Sequence, residues 1–410
     1  MEASVPWYRR LGPGLITAAV VLGPGSVVSA SRAGAEAGYG LVWMLAASCL
    51  FMATFTSMAA RVGCALPTSF LQYLAEHYGR PLAAVTGMSA FLVAAGFQFG
   101  NNIGVAVAMQ GLVPGVPAVA WPIVFTVLSF ALMMTAQNVY QLLERAMRAF
   151  VGIMLFAFIL NLFFTGINPV GLVKGLVPSR FGEGQFIIAT ATLGTTFSAV
   201  AAFYQSYLVQ AKGWKPETVR YAIQDAWIGI GLLGTLSLVI TMGAAESLYG
   251  KGGTFTDAAQ LAEQLRGVLG NAAVVVFSLG LGAAAFSSFI ANALIGGTLL
   301  ADGFGLDPRM EKNPTRLCAG AALLIGCGVA VTTLSTGLGG TTSVLVAQTS
   351  TLVASPLCAL LLLFLANKRG LMGPLKNNWL SNLVGVAGLA LVLYLAFQTL
   401  GKVWASLSAL

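Results

Sequence analysis

The sequence predicts an all-α membrane protein that crosses the bilayer about eleven times. Hydrophobic residues make up 57% of the chain and charged residues only 8%, whereas about a quarter of the residues of a soluble domain are charged. Apolar runs long enough to cross roughly 30 Å of hydrocarbon recur along the whole chain. They lie at residues 11–38, 41–63, 83–112, 117–137, 147–168, 185–210, 223–245, 270–300, 316–337, 342–366 and 379–402.

The distribution of charge predicts the orientation of the chain. The first apolar run follows Arg9 and Arg10 and lacks a cleavage site of small residues, so we expect a retained span and a cytoplasmic N-terminus. The inner loops then hold fourteen Lys and Arg residues and the outer side five, which is a positive-inside bias. The net charge of +8 therefore reflects topology and not nucleic-acid binding. We expect a monomeric, multi-pass protein of the plasma (inner) membrane that is surrounded by lipid.

Residue types that build catalytic and metal centres are scarce, and none is predicted in the middle of a span. The five cysteines lie in or at the ends of apolar runs without C-x-x-C spacing, and the single histidine, His77, lies in the loop LAEHYGR. All thirteen Asp and Glu residues fall in loops or at span ends. These residues supply neither a nucleophile–base pair nor a metal cluster, so we expect no enzyme and no cofactor.

Two spans are interrupted by residues that do not support a helix. The first contains LGPGS at 22–26, where Pro24 removes a backbone hydrogen bond and Gly23 and Gly25 remove stiffness. The sixth is interrupted around 194–196 and through Ser198, five spans later. Such matched breaks indicate an inverted-repeat transporter with a site at the membrane midplane. The alternative is that the glycines only ease helix packing, since the chain holds 49 of them.

Several segments resemble the natural-resistance-associated macrophage protein (Nramp) family of divalent-metal transporters. GPGLITAAVVLGPGSVVSASRAGAEAGYGLVWML is similar to the family's first span, which has an Asp-Pro-Gly-Asn break followed by GAxxGYxLLW. FYQSYLVQ, SSFIANALIGGTLLADGFG and LVAQTSTLVASPLCALLLLFLANKRGLMG continue the resemblance in spans 6, 8 and 10. It implies a LeuT-like fold that works by alternating access. One domain over 1–410 would then hold two inverted five-helix repeats, 10–168 and 185–366, and an extra span at 379–403.

The sequence departs from the family where the family binds its metal. The resemblance puts the family's metal-binding Asp at Gly23, its Asn at Ser26 and the Met of its sixth span at Ser198. The position that supplies a backbone carbonyl falls near Thr195. A carboxylate and a soft sulfur ligand are therefore both missing, and hydroxyls alone offer a weak site for a double charge.

The family's proton route is also substituted. Two histidines of its sixth span fall on Val200 and Gln205, and the acidic pair of its third span falls on Gln98 and Asn101. None of these four side chains titrates near neutral pH. We therefore expect transport that is not coupled to protons.

These substitutions predict a small, neutral, hydroxyl-lined pocket at the two breaks. The N-terminal ends of broken helices direct N–H groups and positive dipole ends at a ligand, so we expect a small inorganic anion such as bicarbonate. The alternative for each hydroxyl is a hydrogen bond back to the preceding turn. The predicted substrate-binding residues are Gly23, Pro24, Gly25, Ser26, Thr195, Thr196, Ser198, Asn101, Asn102 and Gln348.

Arg32 and the Ser287–Ser288 pair can each be interpreted as functional or as structural. Arg32 lies roughly 10 Å along the helix past the first break, with Glu36 one turn further on. It forms either an ion pair with Glu36 or a vestibule that attracts anions. Ser287 and Ser288 are a candidate site for sodium as a coupling ion, although the family itself often has Ser-Ser there.

Three functions remain open at this point. The first is transport of a small anion, with bicarbonate favoured because it is planar, singly charged and satisfied by hydroxyl and N–H donors. The second is transport of a divalent metal cation (Mn, Fe or Mg) through a degenerate site. The third is a sensor or scaffold that kept the fold without transporting, because fold alone does not fix function.

Overall fold

The computed structural model describes residues 12–135, 166–178, 185–251, 258–335 and 340–408, together with a few positions between 156 and 163 and residue 255. Every regular element in these ranges is a helix. The helices before residue 180 are α1 (Pro13–Val21), α2 (Pro24–Ala37), α3 (Val42–Ala65), α4 (Phe70–Tyr78), α5 (Arg80–Leu112), α6 (Ala120–Thr135) and α7 (Pro169–Gly175).

The described helices after residue 180 again include long and short ones. They are α8 (Gln185–Thr196), α9 (Ala199–Ala211), α10 (Val219–Leu248), α11 (Ala258–Ala262), α12 (Arg266–Leu269), α13 (Ala273–Gly303), α14 (Asn313–Ser335), α15 (Gly340–Ala366), α16 (Arg369–Met372) and α17 (Trp379–Ser408).

The helix bounds agree with the predicted membrane spans. Seven helices in the described ranges are long and apolar enough to cross a membrane, or up to nine if each of two bent pairs is one span. One pair is α1 with α2, bent by 58°, and the other is Ser355–Ala366 with Arg369–Leu375, bent by 65°. The predicted span at 147–168 falls almost entirely outside the described residues, so a total of eleven stays a prediction.

Small residues bring the central helices into backbone contact. α5 and α13 pack along their lengths, and a Cβ added to Gly87 of α5 would overlap the carbonyl of Leu299. On α13, a Cβ added to Gly296 would lie 2.8 Å from Ala94 Cβ. Such close packing is how helices associate where lipid provides no hydrophobic drive. The first break packs against this closely packed pair of helices.

α10 holds both halves of the first broken span. A Cβ added to Gly14 of α1 would overlap the backbone of Asp225, and one added to Gly34 of α2 would overlap that of Thr241. The Asp225 carboxylate also caps α1, because it accepts hydrogen bonds from the N–H groups of Gly12 (2.9 Å) and Gly14. This buried acid lies near the start of α10, as predicted, and its charge is used to anchor α1.

Candidate functional site at the helix breaks

The first break is made by backbone chemistry. α1 ends at Val21 and α2 begins at Pro24, and Gly23 occupies the N-cap position without a side-chain hydrogen bond. Pro24 has no N–H, and the N–H of Ser26 donates to the Gly23 carbonyl (3.1 Å). Gly25 is the second residue of α2, and all of these residues are buried. The break predicted at LGPGS is therefore present, and two of the first three residues of α2 offer no free N–H.

The second break lies slightly later than predicted. α8 continues through Thr195 and Thr196, and α9 begins at Ala199, so the interruption is at 197–198. The Ser198 hydroxyl caps α9 by accepting a hydrogen bond from the N–H of Ala201 (3.2 Å). The interruption is at the C-terminal end of the predicted stretch of 194–198, and the Thr195 hydroxyl bonds to the Thr192 carbonyl (3.1 Å), a local bond that a helix accommodates.

Two oxygen atoms from neighbouring helices face Gly23. A Cβ added to Gly23 would lie 3.0 Å from Ser288 Oγ of α13 and 3.3 Å from Asn101 Oδ1 of α5. Asn101 donates through Nδ2 to Gln98 Oε1 (3.3 Å), which leaves its amide oxygen directed at the break. Ser288 Oγ is fully buried and has no hydrogen-bond partner in the described ranges. Gly23 of the first break, Asn101 of α5 and Ser288 of α13 thus lie together.

The hydroxyl protons at the breaks are directed at backbone carbonyls. Ser26 donates to the Val21 carbonyl, which the break has released from α1, and Thr195 donates to the Thr192 carbonyl. Ser29 lies 3.1 Å from the Thr195 hydroxyl and joins α2 to α8. The alternative of back-bonding, raised from the sequence, is therefore realised at these residues. The Ser26 proton is thus directed at a carbonyl, and the Thr195 hydroxyl is shared between the Thr192 carbonyl and Ser29.

Other predicted residues lie beside the site. Asn102 donates to the Gln98 carbonyl (2.8 Å) and accepts from the Thr126 hydroxyl (3.2 Å), so its side chain contacts α6. Thr196 is buried at the end of α8. The side chain of Gln348, in α15, lies outside what the structure describes.

The two serines of α13 face different surroundings. Ser287 donates to the Ala284 carbonyl of its own helix (2.9 Å), whereas Ser288 faces Gly23. Successive residues of a helix are separated by about 100° around its axis, which keeps the two hydroxyls apart. Arg32 Nε lies 2.6 Å from Glu36 Oε1, so the ion-pair interpretation is confirmed.

One contact near the site was not predicted. Thr17 Oγ1 of α1 donates to Gln205 Oε1 of α9 (2.5 Å), and Gln205 is fully buried. Thr17 precedes the first break by about two turns and Gln205 follows the second by about two turns. That matched spacing was the signal for a contact between α1 and α9. The sequence identified Gln205 only as a substituted position.

Chemically, the breaks offer neutral oxygen atoms. No group of three or more His, Cys, Asp or Glu side chains in the described ranges is arranged to hold a metal ion. Carbonyl, hydroxyl and amide oxygens remain, and they suit a hard cation or a polar solute.

Comparison with known proteins identifies the family. A family model described as "Natural resistance-associated macrophage protein-like" matches residues 14–402. The "Divalent metal cation transporter MntH" of Deinococcus radiodurans is 26% identical over 407 residues, which cover 95% of this chain and 90% of the relative. The protein of the same name from Bacillus subtilis is 26% identical over 403 residues, covering 95% and 92%.

Solved structures share the fold. A crystal structure of the Eremococcus coleocola manganese transporter with an aromatic bis-isothiourea compound superposes with a TM-score of 0.82 at 18% identity, covering 98% of this chain and 88% of the other. Mhp1, a nucleobase-cation-symport-1 family transporter, gives a TM-score of 0.53 at 15% identity, covering 97% and 93%. The LeuT-like fold is therefore confirmed. Because the family model spans nearly the whole sequence, the chain belongs to the Nramp family of membrane transporters.

Proposed function

We propose that this protein moves a divalent metal cation by alternating access and binds it at the helix breaks through neutral oxygen atoms. The relatives named as divalent metal cation transporters cover most of this chain, which supports the second of the three functions drawn from the sequence. Bicarbonate, which the sequence analysis favoured as the substrate, is no longer the first choice, because no comparison supports it. Iron, manganese and magnesium are all candidate substrates by family resemblance. The ligands that the site offers determine how tightly and how selectively each of them would bind.

The observation that carries the proposal is the direction of the hydroxyl protons. Ser26 and Thr195 donate to carbonyls, so their oxygens can offer a ligand only lone pairs. Asn101 Oδ1 and Ser288 Oγ face the position where Gly23 lacks a side chain. The Asn101 amide oxygen can only accept, and the Ser288 hydroxyl, unpartnered among the described residues, can offer a lone pair as well as its proton, so oxygen lone pairs outnumber free donors and favour a cation.

The absence of a carboxylate at Gly23 sets the expected affinity and selectivity. Without a negative ligand, a divalent ion would retain several of its water molecules, as Mg²⁺ does in most protein sites. No thioether is placed at Ser198 to favour a softer ion. We therefore expect binding of Mg²⁺ and Mn²⁺ with similar, roughly millimolar dissociation constants, equivalent to ~4 kcal/mol.

Bicarbonate remains the second candidate because α2 and α9 both begin at the breaks and their dipoles favour a negative charge. Two features count against it. Pro24 has no N–H, and the N–H of Ser26 is already bonded to Gly23. The donors that the anion would need are thus reduced at the first break.

The coupling of transport follows from the same residues. We propose that protons are not co-transported, because Gln98 and Gln205 replace titratable groups of the family and neither can carry a proton at neutral pH. Sodium coupling would depend on Ser288 alone, because the Ser287 hydroxyl is bonded within its own helix. Two serines acting as a sodium site are therefore not part of the proposal.

Uptake into proteoliposomes tests the proposal. Mn²⁺, Mg²⁺ and isotopically labelled bicarbonate are supplied separately, with a buffered interior and with or without a sodium gradient. We expect saturable uptake of both cations, independent of sodium and without proton entry. Bicarbonate uptake without cation uptake would overturn the proposal in favour of the anion. No uptake of any solute by folded protein would favour a sensor or scaffold.

A further inference from the structure

An apolar groove runs between α3 and α10, beside α7. Its volume is about 440 Å³, within the usual range for a small-molecule site. One hydroxyl, that of Thr235, lies in its wall and donates to the Gly231 carbonyl (2.8 Å). Lining side chains include Leu45, Leu50, Leu172, Leu176, Trp227 and Leu238.

The length of the groove matches one leaflet of a bilayer. Its lining extends from Val42 to Ala53 on α3 and from Trp227 to Leu238 on α10. At 1.5 Å per residue each stretch is about 16 Å long, or about half of the roughly 30 Å hydrocarbon core. Both helices qualify as membrane spans, and Val42 is the first residue of α3. On α3 the groove therefore begins at the first residue of the helix and reaches its middle, whereas on α10 it lies along the central part of the helix.

α7 is fixed across the surface end of the groove. Asn168 caps it by accepting from the N–H of Gly171 (2.9 Å), and a Cβ added to Gly171 would lie 2.9 Å from the Tyr39 ring. Tyr39 in turn donates to Glu246 Oε1 (2.6 Å). Burial raises the pKa of Tyr39 to about 12, so this hydroxyl stays protonated at physiological pH. A short helix is thus held in place by a polar cluster at the membrane surface.

α7 carries one cation among apolar side chains. Leu172 and Leu176, one turn apart, line the groove. Lys174 lies between them in sequence, on the opposite side of the helix, and is exposed. Val170, Val173 and Val177 around Lys174 are exposed as well. A lysine on an otherwise apolar helix is typical of the membrane interface, where its long side chain reaches the headgroups. α7 therefore marks the level of the lipid headgroups.

We propose that this groove binds one acyl chain of a membrane phospholipid whose headgroup lies at the level of α7. A lipid chain already surrounds these helices, so retention would come from close packing against the groove walls rather than from escape from water. The occupied groove supports α10, the helix that holds both halves of the first broken span. The proposal does not depend on the identity of the transported ion.

Gly231 offers a direct way to fill the groove. A Cβ at this position meets no atom within 4 Å, so Gly231→Leu places a side chain in the groove without a clash. Gly280→Leu is the matched control, because Gly280 in α13 also has open space around its Cβ position and does not line the groove. Gly234 is unsuitable, since its Cβ would lie 2.9 Å from Cys49 Sγ.

The first readout is native mass spectrometry of purified protein titrated with dioleoyl phosphatidylethanolamine. We expect the wild type and Gly280→Leu to retain one lipid. Gly231→Leu should bind it several-fold more weakly, because the added side chain takes the space of the acyl chain and removes its packing contacts with the groove walls. Equal retention by all three proteins would overturn the proposal.

The second readout reports on the groove itself and covers a failure of the first variant to fold. Phospholipids with brominated chains quench tryptophan fluorescence, and subtraction of Trp227→Phe isolates the signal of Trp227. We expect quenching of Trp227 to fall in Gly231→Leu and in a second filling variant, Thr235→Phe. Unchanged quenching in whichever of these folds would contradict the proposal. Uptake assays are not involved, so the ion proposal can fail separately.

Discussion

The two helix breaks are built by different means. At the first, proline and glycine interrupt the backbone and α1 and α2 meet at 58°. At the second, α8 and α9 continue as parts of one span over Gln185–Ala211, and the Ser198 side chain caps the restarted helix. The first break is thus a sharp bend that proline and glycine produce in the backbone. The second is a short interruption at which the Ser198 hydroxyl caps the next helix.

This difference indicates how tolerant each break is of substitution. A side chain introduced where backbone atoms touch forces the helices apart, whereas removal of a cap costs one hydrogen bond. The first break also lies against α5 and α13, which supply Asn101 and Ser288. We therefore expect the larger effects on transport to come from the first break.

The largest effect is expected for Gly104→Leu. A Cβ at Gly104 of α5 would overlap the ring of Pro24, so the first break could no longer pack against α5. Such overpacking costs about 1–3 kcal/mol and should abolish uptake in proteoliposomes. Gly328→Leu is the control, because a Cβ at Gly328 meets nothing within 4 Å. Normal uptake by Gly104→Leu would show that the geometry of this break is unimportant.

The next effect is a gain of function in Gly23→Asp. The Cβ of the new side chain would lie 3.0 Å from Ser288 Oγ and 3.3 Å from Asn101 Oδ1, and its carboxylate would supply the negative ligand that the site lacks. We expect Mn²⁺ to bind at least about tenfold more tightly, or ~1.4 kcal/mol, by calorimetry. Adding Ser198→Met should favour Mn²⁺ over Mg²⁺ further. Gly23→Asn has the same shape without charge and should not tighten binding, and a similar gain in that variant would contradict the argument.

Ser198→Ala should have a smaller effect, on stability. It removes the cap of α9 and is expected to cost about 1 kcal/mol, measurable as a lower melting temperature in detergent. Ser198→Thr should restore stability, because it keeps the capping hydroxyl without adding a charge to a buried position in the span. If Ser198→Ala melted at the wild-type temperature, the second break would not depend on its cap.

The smallest effects are expected for Ser26→Ala and Thr195→Ala. Each removes a hydroxyl that satisfies a carbonyl and offers one lone pair to the ion, with a cost of about 0.5–1.5 kcal/mol. The apparent affinity for Mg²⁺ should fall a few-fold while the protein still folds. Thr195→Ser keeps the hydroxyl and serves as the control. Unchanged affinity in both alanine variants would move the cation site away from the hydroxyls.

The fold was largely predictable because its signals are local. Long apolar runs define the spans, and Pro24 with its flanking glycines defines the first break without any knowledge of neighbouring helices. The helix that follows the tenth span, Arg369–Met372, was not anticipated, although Asn367 and Lys368 separate it from α15. Pro356 gave no break, since α15 runs through it.

The chemistry of the site was predicted less well because it depends on the direction of protons. The sequence placed Ser26 and Thr195 at the breaks, but whether a hydroxyl donates to a ligand or to a carbonyl depends on which carbonyls each break releases. The Val21 carbonyl takes the Ser26 proton only because α1 stops there. Contacts between distant segments, such as Thr17 with Gln205, likewise require the packed helices.

The central claim, that an acceptor-lined first break binds a divalent cation, can be tested most directly at Ser288. In protein whose five native cysteines are replaced by alanine, Ser288→Cys is exposed to a small methanethiosulfonate reagent in proteoliposomes. Ser278→Cys, on the same helix, is the control. The account predicts that millimolar Mg²⁺ slows modification of Ser288→Cys alone and that bicarbonate does not. Protection by bicarbonate without protection by Mg²⁺ would contradict it.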